Sequence, residues 1–422
     1  MASDEEGSHA DRLARRLTTI DAVVIGMGSM IGAGIFVALG PAADAAGTGL
    51  LLGLAIAAAV AFCNATSSAQ LAAVYPESGG TYVYGRERLG PLWGFLAGWG
   101  FVIGKTASLS AIALTFGEYA WPDLVRPLAV AAVVAMTAVN YRGIEKTALV
   151  TRIILAVVLS ALAAVVVASL SGEGVRSANL RDLSDAGALR ILRSAGFLFF
   201  AFAGYARIAT LGEEVGDPER TIPRAIPTAL GFTFLIYAVV AVSALAALGP
   251  SALAASQAPL AASVRVGSLE ELLPAVRIGA TVASLGVLLS LLAGVSRTAF
   301  SMARNRDFPA RLASVHPRYR TPHRAELAIA ILVIALVMFV DVRGAIGFSS
   351  FAVLVYYGIA NVSAWTQPSE QRRWPRALSA VGVAGCAVLA LTLPFSSILG
   401  GLTVLAVGAV VWVVRHNVAS PR

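Results

Sequence analysis

The chain has 422 residues, of which 57% are hydrophobic and 13% charged, with a formal net charge of +8. Soluble domains carry about 25% charged residues, so this composition excludes an ordinary soluble protein. Apolar runs of roughly 17–25 residues recur from end to end, each long enough to cross a bilayer.

Residues 1–18 form a polar tail that opens MASDEEGSHADRLARR and carries no signal-peptide pattern. About twelve spans follow, near residues 20–38, 47–71, 91–117, 124–140, 148–170, 194–211, 225–248, 276–300, 325–341, 345–366, 375–393 and 398–414. The expected fold is all-α and integral to the membrane. With the amino terminus inside, 22 Lys and Arg fall in the tails and loops of the inner side and 8 in those of the outer side. That bias follows the positive-inside rule and makes both termini cytoplasmic in a multi-pass cell-membrane protein. The positive charge is therefore a topology signal. It is spread over many short loops and makes no nucleic-acid footprint.

Cys63 and Cys386 both lie in apolar spans, which gives neither a disulfide framework nor metal spacing. The four histidines, His9, His316, His323 and His416, lie in tails or loops, and no Walker motif is present. No cofactor, metal site or catalytic constellation is expected, and an enzyme is disfavoured.

Two spans are unusual. Residues 26–36 read GMGSMIGAGIF, with four glycines in eleven positions. Residues 194–211 read SAGFLFFAFAGYARIATL, with Gly196 and Gly204 around an aromatic run. Glycine costs a helix interior about 1 kcal/mol relative to alanine, so both need a reason. One reading is close helix packing, since Gly28 and Gly32 have the four-residue spacing of small-residue interfaces. The other is a helix break. The two stretches occupy the first and sixth spans, corresponding members of two five-span halves of opposite orientation. Glycine-interrupted spans so paired point to an inverted-repeat transporter with a midplane site. The halves divide the chain into a tail (1–18), a first repeat (19–170), a second repeat with its preceding outer loop (171–366) and two added spans with the tail (367–422).

Unpaired backbone groups inside a bilayer cost several kcal/mol each unless they line a cavity or meet a ligand. Free amides in the first break, at the positive end of a half-helix, suit a carboxylate. Free carbonyls in the sixth span suit an ammonium. Together they fit the two charged ends of an α-amino acid.

Four stretches carry a family resemblance: SMIGAGIF (29–36), PESGGTYVYGRERLGPLWGFLAGW (76–99), FFAFAGYARIATLGEEVGDPERTIPRAI (199–226) and VSRTAFSMARNRDFPARLASVHPRYRTP (295–322). In this order they resemble signatures of the amino acid–polyamine–organocation permease superfamily. The resemblance implies a leucine-transporter-like five-plus-five fold with spans 1 and 6 broken, and secondary transport of amino acids or related amines. It implies a carboxylate site on the backbone of Met30, Ile31, Gly32, Ala33 and Gly34, and an ammonium site on the carbonyls of Phe200, Ala201 and Ala203. It makes Thr106 a pocket candidate and Phe199, Phe202 and Tyr205 candidates to shield or gate the site. The expected partners are a small-molecule substrate, protons and membrane lipids. Proton symport is the leading expectation; exchange, or a non-transporting sensor on the same fold, are the alternatives.

Two features depart from the family pattern. Many relatives carry a hydroxyl residue where this chain has Ala33, and some proton-coupled relatives carry a fifth-span lysine that this chain lacks. Arg152, the basic residue of that span, lies close enough to its end to snorkel. Lys105 is the clear mid-span ionisable group, a candidate for coupling or, equally, for fixing helix contacts. Arg207, Glu213 and Glu214 can form an inner gate or simply meet solvent, and the basic 303–324 loop is suited to lipid headgroups.

Cysteines introduced at Ser184 and Ser314 are expected to react with an impermeant maleimide from opposite sides of the membrane. Reaction of both from outside would overturn the topology.

Overall fold

The computed structural model describes residues 18–75, 79–143, 148–172, 175–181, 183, 185–205, 215 and 217–419, which are almost entirely helical. In chain order the helices are α1 (Thr19–Met30), α2 (Ala33–Ala46), α3 (Leu50–Val74), α4 (Thr81–Leu89), α5 (Pro91–Ala120), α6 (Val125–Tyr141), α7 (Ala148–Leu170) and α8 (Ala188–Phe202). They continue as α9 (Pro218–Ala255), α10 (Pro259–Arg265), α11 (Leu273–Arg304), α12 (His323–Phe339), α13 (Val342–Trp365), α14 (Arg376–Thr392) and α15 (Phe395–Ala419).

Among the described residues, nine segments are long and apolar enough to cross a membrane. One of these, Ala33–Val74, is 42 residues long and holds both α2 and α3. The shorter apolar helices α1 and α14 lie beside them. The protein is a multi-pass, all-helical membrane protein.

The first expected span is two helices. A capping box starts α1: the Thr18 side chain accepts from the Asp21 amide, and the Asp21 carboxylate accepts from the Thr18 amide at 3.0 Å. The helix stops at Met30, and after Ile31 and Gly32 the chain restarts as α2. Every residue of α2 except Asp44 is buried, with α8 and α9 packed around it. The sixth span starts earlier than its apolar run suggests, at Ala188, and tightens into a 3₁₀ turn at Ala203–Tyr205. Arg207, Glu213 and Glu214 lie outside the described residues.

Helix α5 is the central post of the other half of the bundle, packed along α11 and α13. Gly104 seats it there: a Cβ at Gly104 would press on Ala352 of α13. Ser108 and Ser349 share a buried hydroxyl–hydroxyl hydrogen bond one turn further on.

Two short helices join the expected spans. Helix α10 lies over α2, and Tyr119 ties it down. The Tyr119 hydroxyl donates to the Phe36 carbonyl (2.8 Å) and accepts from the Leu260 amide (3.3 Å). Helix α4 is held at the opposite end of the bundle by a polar knot on the buried Asp307. Its Tyr82 hydroxyl donates to Asp307 Oδ2 at 2.7 Å, and Arg86 Nη1 reaches the same oxygen at 3.3 Å. Arg415 of α15 donates to the Asp307 carbonyl at 3.1 Å.

Tyr82→Phe leaves this buried carboxylate one donor short. The expected loss is about 1–3 kcal/mol, read as a lower melting temperature of the purified protein in detergent. An unchanged melting temperature would show that α4 is not held through Asp307.

Candidate functional site

The break between α1 and α2 meets the end of α8. Gly204 lies so close to α1 that a Cβ there would overlap the Ser29 carbonyl and stand 2.8 Å from the Met30 amide nitrogen. Gly34, in the first turn of α2, sits on α8 with its would-be Cβ 2.7 Å from Ala201 Cα. Gly32 presses on the Val287 side chain of α11. So both readings of the glycines hold at once: the chain is broken here, and the pieces pack at backbone contact. Gly28 serves packing, with Thr151 Cγ2 at 3.0 Å from its would-be Cβ.

In the first break the Ile31 amide returns to the Met27 carbonyl (2.6 Å) and the Gly32 amide to the Met30 carbonyl (2.8 Å). The Met30 carbonyl then has no continuing helix to accept from, and Tyr237 of α9 fills the gap. Its buried hydroxyl lies 2.6 Å from the Met30 carbonyl and 3.2 Å from the Ala201 carbonyl. One phenol therefore ties the last carbonyl of α1 to the end of α8. The amides of Ala33, Gly34 and Ile35 make no hydrogen bond to a described residue. They are the first donors of α2, where the helix dipole is positive, and all three residues are buried.

In the second break each expected carbonyl already has one donor. Phe200 accepts from the Ala203 amide, Ala201 faces Tyr237, and Ala203 accepts from the Tyr357 hydroxyl at 3.3 Å. A carbonyl oxygen has two lone pairs, so each retains room for a second donor. The aromatic candidates are buried around them. Phe199 lies edge-on to Tyr357 (6.0 Å between ring centroids), Tyr205 lies 5.0 Å from the same ring, and Phe202 lies 5.2 Å from Tyr237. Phe200 is half-buried.

The Thr106 hydroxyl donates to its own helix at Val102 (2.7 Å), an ordinary back-bond. Lys105 is buried, 7% exposed, and makes no hydrogen bond or ion pair with a described residue. The glycine pair before it brings α5 against Ala352 of α13 and Leu405 of α15. Arg152 is not simply snorkelling: it forms an ion pair with Asp21 and so fastens the start of α1 to α7. At the far end Arg343 of α13 lies 3.4 Å from Asp44 and also donates to the Ala254 carbonyl, which fastens the end of α2.

Tyr237, Tyr119 and Tyr357 were not legible as site residues in the sequence. Each lies in an apolar run, where a tyrosine reads as interfacial belt or core. The signal available was position: a buried hydroxyl in mid-span must find a partner.

The described residues thus form a bundle of apolar, membrane-length helices in which an interrupted first span meets the end of α8 at a buried, polar-backbone centre. Residues 21–414 match the amino acid permease family. The chain belongs to that family, within the amino acid–polyamine–organocation superfamily. An uncharacterized transporter of Mycobacterium tuberculosis (strain ATCC 25618 / H37Rv) is 60% identical over 406 residues, 96% of this chain and 92% of the relative. The branched-chain amino acid permease of Bacillus subtilis (strain 168) is 25% identical over 432 residues, 95% of this chain and 92% of the relative. The methylthioribose transporter of the same organism is 29% identical over 362 residues, 79% of this chain and 77% of the relative.

Tyr237→Phe is expected to weaken substrate binding roughly two- to tenfold, the net value of one neutral hydrogen bond. Equilibrium binding to purified protein checks this. Unchanged affinity would separate Tyr237 from the site.

Proposed function

We propose that this permease is a secondary active transporter of neutral apolar α-amino acids, driven by protons and working by alternating access across the cell membrane. The observation that carries the reading is the junction of the two breaks: free, buried amides at the start of α2 face the end of α8, whose carbonyls keep spare lone pairs. The substrate carboxylate goes to the Ala33, Gly34 and Ile35 amides, with Met30, Ile31 and Gly32 shaping the break. Its ammonium goes to the Phe200, Ala201 and Ala203 carbonyls. Phe199, Phe202 and Tyr205 enclose it, and Thr106 shapes the wall. No carboxylate belongs to either described break, which favours an uncharged side chain. The branched-chain specificity in the name of one relative agrees with that choice.

On this reading the chain has about twelve spans in a five-plus-five inverted repeat, with both termini cytoplasmic. The divisions are 19–170, 171–366 and 367–422. The substrate of the methylthioribose transporter has neither an α-carboxylate nor an α-ammonium, so it is the discriminating competitor.

The test is counterflow into proteoliposomes. Radiolabelled leucine should accumulate saturably and be displaced by unlabelled neutral amino acids, while isoamylamine, which lacks the carboxylate, should not compete. Saturable uptake of methylthioribose without amino acid uptake would overturn the assignment, and failure of all exchange would favour a sensor.

Lys105 supplies the coupling arm. Under an imposed pH gradient Lys105→Ala is expected to bind substrate and exchange it, yet lose accumulation. Lys105→Arg should lose accumulation too, since arginine stays protonated. Accumulation at the parent level by the alanine variant would make Lys105 structural.

A further inference from the structure

A groove of about 390 Å³ opens on the outer face of the bundle, away from the broken helices. Leu354, Gly358 and Val362 of α13 form one wall, Val383 and Ala387 of α14 the other, and Trp93 of α5 stands at the side. From Val362 to Leu354 it runs eight residues along α13, about 12 Å at the helical rise. Its lining is apolar throughout, as a surface facing hydrocarbon must be.

One end of the groove differs from the other. Trp365 follows Val362 by three residues and so shares its face of α13. The Arg376 guanidinium lies over the Trp365 ring at 6.0 Å. Leu89, which also lines the groove, is preceded by Arg88, whose Nε donates to Thr366 Oγ1 at 3.1 Å. Trp93 and Trp365 are 50% and 44% exposed. The segment joining α13 to α14 adds Arg372 and Arg373. The nearby acids, Glu87 and Glu370, are exposed, and Glu370 accepts from the Ser369 hydroxyl at 2.9 Å. The apolar slot therefore ends in two arginines and two tryptophans, the arrangement that suits a headgroup at a membrane interface.

We propose that this groove is a binding site for an anionic phospholipid, with one acyl chain between α13 and α14 and the phosphate held by Arg376 and Arg88. The choice of a lipid over a second copy of the chain rests on that end. A like protomer brings the same arginines, whereas an anionic headgroup complements them.

Trp93 reports on the site directly. The full-length protein is reconstituted in phosphatidylcholine vesicles with increasing fractions of phosphatidylglycerol or phosphatidylcholine brominated on the acyl chains. Tryptophan quenching is measured for the parent and for Trp93→Phe, and the difference isolates Trp93. Brominated phosphatidylglycerol is expected to quench Trp93 at a mole fraction several-fold lower than brominated phosphatidylcholine. Arg376→Ala should reduce that preference about fivefold, as for the loss of one interfacial charge, and Arg376→Lys should retain most of it. Gly358→Leu, at a glycine whose would-be Cβ meets only Cys386 Cβ at 3.8 Å, should reduce quenching by both lipids.

Equal quenching by the two headgroups in the parent would overturn the proposal. So would a Trp93 shielded from both lipids and uncovered when a dimer dissociates, because the occupant would then be a second copy. None of these readouts depends on transport, so the lipid site and the proposed function stand or fall separately.

Discussion

The structure depends on one constraint: inside a bilayer, every backbone group that leaves a helix must find another partner. The first span leaves its helix beside the end of α8, and a shared hydroxyl joins the two. Met30 ends α1 with a carbonyl that has no helical successor, and Ala201 lies in the last turn of α8. A single hydroxyl, Tyr237, serves both. Gly204 makes the meeting possible, because any side chain there would occupy the space of the Ser29 carbonyl. The breaks are thus tolerated as a pair, and neither has an evident solution alone.

The rest of the bundle holds this junction in place. Helix α2 is buried over all but one of its residues, and α10 lies across it under the Tyr119 hydroxyl. Ion pairs fasten the two ends of the interrupted span, Asp21 with Arg152 and Asp44 with Arg343. All four of these side chains lie outside the site. On the proposed function, alternating access has to release such ties one side at a time, and pairs that reach solvent are suited to that because each is worth at most about 1 kcal/mol.

The break in the first span was legible in the sequence because glycine at this density inside an apolar run has few physical explanations. Helices α4 and α10 were not legible. Each has fewer than ten residues and no apolar run of its own, and each is fixed by a tyrosine from a distant span. The sequence marks Lys105 as exceptional, and the glycines before it pack α5 on α13 and α15; spacing along one helix does not reveal which neighbour a face meets. The same limit hid Tyr237: its chemistry was plain, and its partners lie on two other helices.

The two halves of the junction are not equivalent, and the difference bears on what the site requires. The carbonyls of Phe200 and Ala203 already hold one donor each, and Ala201 shares the single Tyr237 hydrogen with Met30, so an ammonium there adds a bond to groups that are largely satisfied without it. The amides at the start of α2 have no acceptor among the described residues, and a donor has only one hydrogen to place. A buried unsatisfied amide costs about 1–3 kcal/mol, and three adjacent ones at a positive helix end call for an acceptor. On the proposed function water supplies it when the site is open, and a carboxylate supplies it better, because its charge also answers the dipole. On the proposed function, then, the carboxylate end makes closure favourable and the ammonium end selects among carboxylates. Ala33 fits this division. On the proposed function, without a side-chain hydroxyl at that position, recognition of the carboxylate rests on backbone amides, which of the twenty residues only proline would remove.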